Sequence, residues 1–541
     1  MTNNLLWSQT TLPAAENVYD FLDEMASLHL IQYPSVTLPA GRDEIAALLE
    51  KVRQHAGNLN ARQQKELKLW QKEYAFYLPM NDSLSHHGDQ LPEIKLSAAP
   101  ASIRYVNKSF RVSVEPVLNY QIYTRSNDQV SVSTAGASAT AYIGSSFCLY
   151  AGYGYTTDHN GFLSRPRYLS SFSRSFTNDS TTSGYGEFRG GLAWKWKWGT
   201  LGIRQDVPVW GEGYHGKNIL SGHAPAFPMI SLELHPVSWL YFRYFHAWLR
   251  PVIADSTNEY LLPVNNSEPV SHPKFMAANI YTFYPWKQIG ISFGNSIVYS
   301  DIHMHPAYLI PFSFFKSIDH TVNQGIDNQN SQMFFSLSIR QIKYLHFYST
   351  LYVDELSVSR ITDPNRHNFY SIKTGARVSG WPVSNLSLTA EFTRSSPLTY
   401  EHRVPSLRYT NDAYDLGWYL RDNAQEVFAR LDYRPAAAWH CYASYTHAVK
   451  APEYNYALKG ATRVDEYPML GQLVWTRNRL TLGTSCRLTP NILLFGEYMA
   501  LSVKGYDGSD QTANWYLNRF SPEFFRGKHN ILSAGIRIGS W

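Results

Sequence analysis

The hydrophobic period of this chain changes once. Through the first 80 residues apolar side chains recur every three to four positions, and from about residue 101 they recur every second position. "AAENVYDFLDEMASLHLI" sets Val18, Phe21, Leu22, Met25 and Leu28 on one helical stripe. "RDEIAALLEKVRQHAG" repeats the stripe with Ile45, Leu48, Leu49 and Val52, and Gly57 is the expected stop. A third helix follows Asn60, which makes a capping-box pattern with Gln63 and leads to Leu67, Trp70 and Tyr74. Residues 1–80 are expected as a small helical bundle and residues 81–100 as a linker.

Beyond the linker, "SSFCLYAGYGY" puts Phe147, Leu149, Ala151, Tyr153 and Tyr155 on one face of a strand. "RLTLGTSCRL" and "NILLFGEYMAL" alternate on either side of the turn Thr489-Pro490-Asn491. Similar turns are predicted near Gly144, at Gly199-Thr200, Pro236–Ser238 and Pro285–Lys287, near Gln341–Lys343, and at Pro382–Asn385 and Arg434–Ala437. Eight short turns join sixteen strands, and a strand at each end makes about eighteen, an even number that suits a single-chain barrel. Residues 101–541 are therefore predicted as a mainly β fold, an antiparallel transmembrane β-barrel. A soluble fold would have to cover the faces and edges of all these strands.

Short turns of such barrels face the periplasm and long loops face outside. If the helical bundle is periplasmic, the segments 158–184, 209–228, 250–272, 300–330, 396–425, 449–475 and 504–527 are mostly outer loops. "LAWKWKW" fits that frame. Trp194, Trp196 and Trp198 share one face as membrane-interface aromatics near the periplasmic side, while Lys195 and Lys197 point into the lower lumen.

Composition points the same way. Charged residues are 17%, below the roughly 25% usual in soluble domains, and aromatics reach 15%. No apolar run approaches the roughly 18 residues a transmembrane helix needs. The net charge of +5 is small for the length and gives no reason to expect nucleic acid as a partner. Cys148, Cys441 and Cys486 are too scattered for a disulfide framework or a cysteine zinc site. The opening "MTNNLLWSQT" lacks a basic segment followed by an apolar one, so the expectation is a chain whose signal peptide has been removed. At the other end, "HNILSAGIRIGSW" sets Leu532, Ala534, Ile536 and Ile538 on one face, with Trp541 on the opposite parity.

Three blocks resemble the Wzi capsule-assembly family of outer-membrane proteins: "VYDFLDEMASLHLI", "GIRQDVPVWGEGYHGKNILSGHAPAFPMISLEL", and "GIDNQNSQMFFSLSI" with "FYSTLYVDEL" after it. The second is the most specific, with its Trp-Gly-x-Gly turn leading to Leu-Ser and Ala-Pro. The resemblance implies an eighteen-stranded barrel with a helical bundle on its periplasmic side. It also implies a lectin-like, non-catalytic role in attaching capsular polysaccharide at the surface of a Gram-negative cell. Outer-membrane lipid and export components are the other partners it implies, and it calls for no cofactor.

The candidate chemistry gathers in the second block. "GEGYHGKN" has P-loop spacing, but Asn218 stands where a magnesium-binding hydroxyl is needed, and Gly222, Pro225 and Pro228 follow instead of a helix. Two readings stay open. The segment is a Gly-rich turn shaping an outer or lumen-folded loop, or Trp210, Glu212, Tyr214, His215, Lys217, Asn218 and His223, with Arg204, bind sugar by ring stacking and hydroxyl bonding. Elsewhere Asp301, His303 and His305 lack a fourth metal ligand. Ser221 lacks a nucleophile elbow, and Asp354 and Glu355 as strand neighbours face opposite sides. No catalytic or metal site is expected. The alternative function is an outer-membrane porin or channel for oligosaccharides, with basic lumen residues such as Arg340 and Arg537 setting selectivity.

Overall fold

Alternation sustained over most of a chain calls for a sheet with two unlike faces, and closing the sheet removes its edges. The computed structural model describes residues 18–539 apart from 39–40, 79–92, 99–100, 108, 160–176, 180–181, 252–272, 323–327, 364–365, 413, 455 and 457–463. Among the described residues, eighteen strands in chain order form a closed antiparallel barrel. The first, Phe110–Arg125, pairs with the last, Gly527–Ile538, from Thr124↔Leu532 to Leu118↔Ile538. Fold class and strand number match the sequence expectation. Among the described residues no helix is long and apolar enough to cross a membrane.

One end of the barrel carries eight short connections, at 144–146, 197–198, 238–239, 287–288, 340–344, 380–385, 437–438 and 490–491. The turn expected at Gly199-Thr200 falls two residues earlier, because Gly199 opens the next strand. Lys197 therefore sits exposed in that turn and not in the lumen. The long connections lie at the other end, including 356–368, which the sequence reading did not separate. The expected loops 158–184 and 250–272 fall largely outside the described residues, as does Trp541.

Strand pairing also begins inside the segment expected as linker. Glu93–Ala98 pairs with Ala101–Val106, which in turn pairs with the first barrel strand from Ile103↔Val114 to Val106↔Arg111. The reason is the seam. The last strand ends opposite Leu118, leaving the lower part of Phe110–Arg125 with backbone groups that need another partner.

Three helices occupy the short-turn end: α1 (Val18–Ser27), α2 (Arg42–Gln54) and α3 (Ala61–Tyr74). The capping box forms as the sequence predicts, with Gln63 N–H donating to Asn60 Oδ1 and Asn60 N–H donating to Gln63 Oε1, both at 2.9 Å. The predicted stripes make one core that continues into barrel residues Tyr142, Cys148, Tyr150 and Ala193. Turn residues hold the helices in place: Tyr344 N–H donates to Ser27 O at 2.8 Å, and Gln32 Nε2 donates to Ser238 O at 3.2 Å. Ion pairs to lumen-facing side chains add to this, among them Asp23–Arg340 at 2.6 Å and Asp20–Arg377 at 3.1 Å.

Candidate functional site

The Gly-rich segment connects the strands Gly199–Asp206 and Phe227–Val237, and it folds into the barrel. Val209 and Trp210 pair antiparallel with Leu38 and Thr37, so the segment is bonded to the connection between α1 and α2. Trp210 and Leu220 close the loop on itself by two backbone bonds, of 2.9 and 3.1 Å. Gly213 has φ +123°, and a Cβ there would stand 2.6 Å from Lys373 Cδ. Glycine is required at that position both by the backbone and by the close approach.

All seven candidates of this segment come together in the lumen, and most of their polar atoms meet barrel partners. The backbone N–H groups of Tyr214 and His215 both donate to the Glu391 carboxylate, which also accepts from Tyr348 Oη at 2.6 Å and Lys373 Nζ at 2.8 Å. Tyr214 Oη donates to Asp23 at 2.6 Å, tying the segment to α1. Glu212 N–H donates to Thr350 Oγ1 at 2.9 Å, while its carboxylate accepts from Ser35 Oγ. Asn218 Nδ2 donates to the carbonyls of Thr350 and Ser371, at 3.2 and 3.0 Å. The His215 ring stacks on Phe428 with centroids 4.1 Å apart and lies 3.5 Å from Glu426. Arg204 stands apart on the preceding strand, bonded to Glu233 at 2.9 Å beside a cavity of about 40 Å³.

Trp210, Glu212, Lys217, Asn218, His223 and Arg204 are buried, and Tyr214 and His215 are half-buried. A second loop, 396–423, lies against the segment from the long-loop end. Ser221 N–H donates to Leu416 O at 2.7 Å, Tyr400 Oη to Asn218 O at 2.7 Å, and Asn411 Nδ2 to Pro225 O at 3.0 Å. Helices, Gly-rich segment and second loop thus follow one another along the lumen, each bonded to the next.

Burial sets the charges here. It pushes the Glu212 carboxyl above its ordinary value, against the opposing pull of Lys217. Burial likewise pushes the Lys217 ammonium down to about 8 and the His223 imidazolium down to about 4. A lysine whose folded value lies below its unfolded one makes the fold more stable as pH rises between the two. Thermal stability of the purified protein is therefore expected to increase between pH 8 and 10.5. Lys217→Met should flatten that rise. Melting curves at pH 7 and 10 check this.

On the outer wall Trp194 and Trp198 are about half exposed, and Trp196 bridges them at centroid distances of 5.2 and 5.3 Å. Lys195 points the other way and pairs with Asp43 of α2. His303 and His305 lie outside any strand, and among the described residues no group of three or more His, Cys, Asp or Glu is placed to hold a metal. Asp23, Thr350, Lys373 and Glu391 were not singled out from the sequence. Their inward parity on the strands, or helix face, was the available signal, without any indication of partner.

Neither a family model nor a curated protein matches the chain by sequence. Among solved structures, the chain is similar to Wzi of Escherichia coli, an outer-membrane protein involved in group 1 capsule assembly and a carbohydrate-binding β-barrel. The two share 14% identity over 96% of this chain and 97% of that one, with a TM-score of 0.53. OccD3 (OpdP) of Pseudomonas aeruginosa matches 85% of this chain and 98% of its own at 9% identity and TM-score 0.43. OccK5 (OpdH) of the same organism matches 80% and 99% at 10% identity and TM-score 0.42. The likeness to Wzi is one of fold.

Proposed function

We propose that the chain is a non-enzymatic outer-membrane barrel of capsule assembly, holding or organising capsular polysaccharide at the cell surface. The observation that supports this reading is the occupied lumen: α1 to α3, the Gly-rich segment and loop 396–423 bond to one another and to the wall. A porin for oligosaccharides needs a continuous wet path. The fold shared with a carbohydrate-binding barrel supports the same choice.

In this reading the short-turn end and the helices face the periplasm, with Trp194, Trp196 and Trp198 at that membrane interface. The buried residues from Trp210 to His223 serve polysaccharide binding indirectly, as the base on which the outer loops stand. The polysaccharide itself meets the loops of the long-connection end.

Deleting the gene should release polysaccharide into the medium while synthesis continues, and complementation should restore retention. Unchanged retention in the deletion strain defeats the proposal. In planar bilayers the purified protein should give no ohmic channel, whereas a steady open pore favours the oligosaccharide porin.

A further inference from the structure

After the strand Ile289–Tyr299 the chain turns back down the outside of the barrel. Arg243 and Phe245 face inward, toward Glu233 and Trp210, so Phe242, Tyr244 and His246 on the same strand face outward. The register puts Tyr281 beside Phe242, Asn279 beside Tyr244, and Asn295 beside Asn279 on that same outer face. Outward residues elsewhere, such as Leu482, are about half exposed, yet Phe242, Tyr244, His246, Asn279 and Ile297 are buried. What covers them is the segment carrying Tyr308 and Phe315.

Wall and segment satisfy each other's polar groups. Tyr244 Oη donates to Tyr308 O at 2.8 Å, and Tyr281 Oη donates to Phe312 O at 3.1 Å. Asn279 Nδ2 donates to Pro311 O at 2.9 Å and to Ser313 O at 2.8 Å. Phe315 N–H donates to Asn295 Oδ1 at 2.8 Å, and Asn295 Nδ2 to Asn279 Oδ1 at 2.7 Å. Pro306 and Pro311 bring no N–H to satisfy. Irregular backbone survives at membrane depth only where its polar groups have protein partners, and outward asparagines survive there only when covered.

Apart from His303, exposed near its start, the far side of the segment is apolar. Ile302 is 73% exposed, Ile310 55%, Phe312 56% and Phe314 48%. Between Asp301 and Lys316 the sequence holds no Asp, Glu, Lys or Arg. The Phe312 ring lies 4.8 Å from Phe242, level with the pair Tyr281 and Phe293. Phe293 is six residues below Tyr299, about 20 Å along a strand, within an apolar band about 25 Å tall.

We propose that residues 302–315 form a strap embedded in the bilayer against the outer wall, with lipid acyl chains as the partner of Ile302, Ile310, Phe312 and Phe314. The proposal rests on the membrane reading above. The strap replaces lipid as the covering of the asparagine pair and presents lipid with an uncharged surface continuous with the wall.

The test uses the full chain in lipid vesicles, with Cys148, Cys441 and Cys486 changed to alanine. Ile310→Cys and Phe312→Cys each carry an environment-sensitive fluorophore, with Leu482→Cys as wall control and Val358→Cys as loop control. The expected result is a blue-shifted emission at 310 and 312 matching that at 482, quenched by brominated acyl chains and not by iodide. Lipid-like emission at 482 with iodide-quenched emission at 310 and 312 overturns the strap while leaving the membrane reading intact. Shielding of 310 and 312 from both quenchers, lifted when the protein is diluted, also overturns it by showing a second protein chain there. Iodide quenching at 482 itself removes the membrane reading and the strap together.

Discussion

Arg340→Ala is expected to unseat the helices from the short-turn end of the barrel. The guanidinium is buried and bonds Asp23 Oδ1 at 2.6 Å and Ser338 Oγ at 2.8 Å, while the Arg340 carbonyl meets the His29 ring at 2.6 Å. Removing one partner of a buried ion pair leaves the other charge unsatisfied, at a cost of about 3–5 kcal/mol. That is a large share of the roughly 5–15 kcal/mol that holds a typical domain together. Replacing both partners, as in Asp23→Asn with Arg340→Met, should cost less than Arg340→Ala alone. Protease access to α1 to α3 reports the change, and heat-modifiable gel mobility reports whether the barrel stays closed. Equal protection of wild type and Arg340→Ala defeats this prediction.

The same docking should depend on pH in two directions. Burial pushes the Asp23 carboxyl up, but Arg340 and Arg377 outweigh it and hold the group below its ordinary 3.8. Its stabilisation is present above that value and is lost as the medium is acidified below it. Glu73 of α3 behaves oppositely, because burial outweighs Arg487 and Arg42 and raises its carboxyl from 4.5 to about 7. Its folded state keeps a proton the unfolded chain has released, so stability falls as pH rises from 4.5 to 7. Docking is thus strongest in mildly acidic solution, and Glu73→Gln should remove the neutral-side loss.

Local rules explain what the sequence disclosed. Val18, Phe21, Leu22 and Met25 are fully buried because a stripe at helical spacing has only one face to hide. Leu149, Tyr153 and Leu192 are exposed because alternate strand residues point to lipid in this reading. Turns marked by Pro, Gly or Asn were visible, whereas the connection after Glu355 begins with Leu356, Ser357 and Val358, which continue the alternation. The partners of the Gly-rich segment were not visible, since Glu391 is 177 residues from Tyr214 and Asp23 is 191 away. A polar, Gly-rich loop reads as solvated until the register of distant strands supplies its bonds. The strap likewise lies in a segment expected as an outer loop, although a run from Ile302 to Phe315 without Asp, Glu, Lys or Arg signals an apolar setting.

Glu391→Ala should release the second obstruction, the Gly-rich segment. Glu391 and Lys373 are both buried, and the carboxylate is the common acceptor for Lys373, Tyr348 and the backbone of Tyr214 and His215. Alanine there leaves a buried ammonium whose other bond is to His215 O, at 2.9 Å, and frees two backbone donors. The expected loss is again about 3–5 kcal/mol, concentrated in the segment and not in the barrel wall. Glu391→Gln keeps the acceptor oxygen and should lose less, so the pair of variants separates charge from hydrogen bonding. Neither Arg340→Ala nor Glu391→Ala alone should give a full channel in planar bilayers, because each leaves the other layer seated. Their combination loosens two of the three layers and should raise conductance above that of either variant alone, with loop 396–423 still in place. A wild-type protein already conducting as well as the double variant would show that these two contacts do not close the lumen.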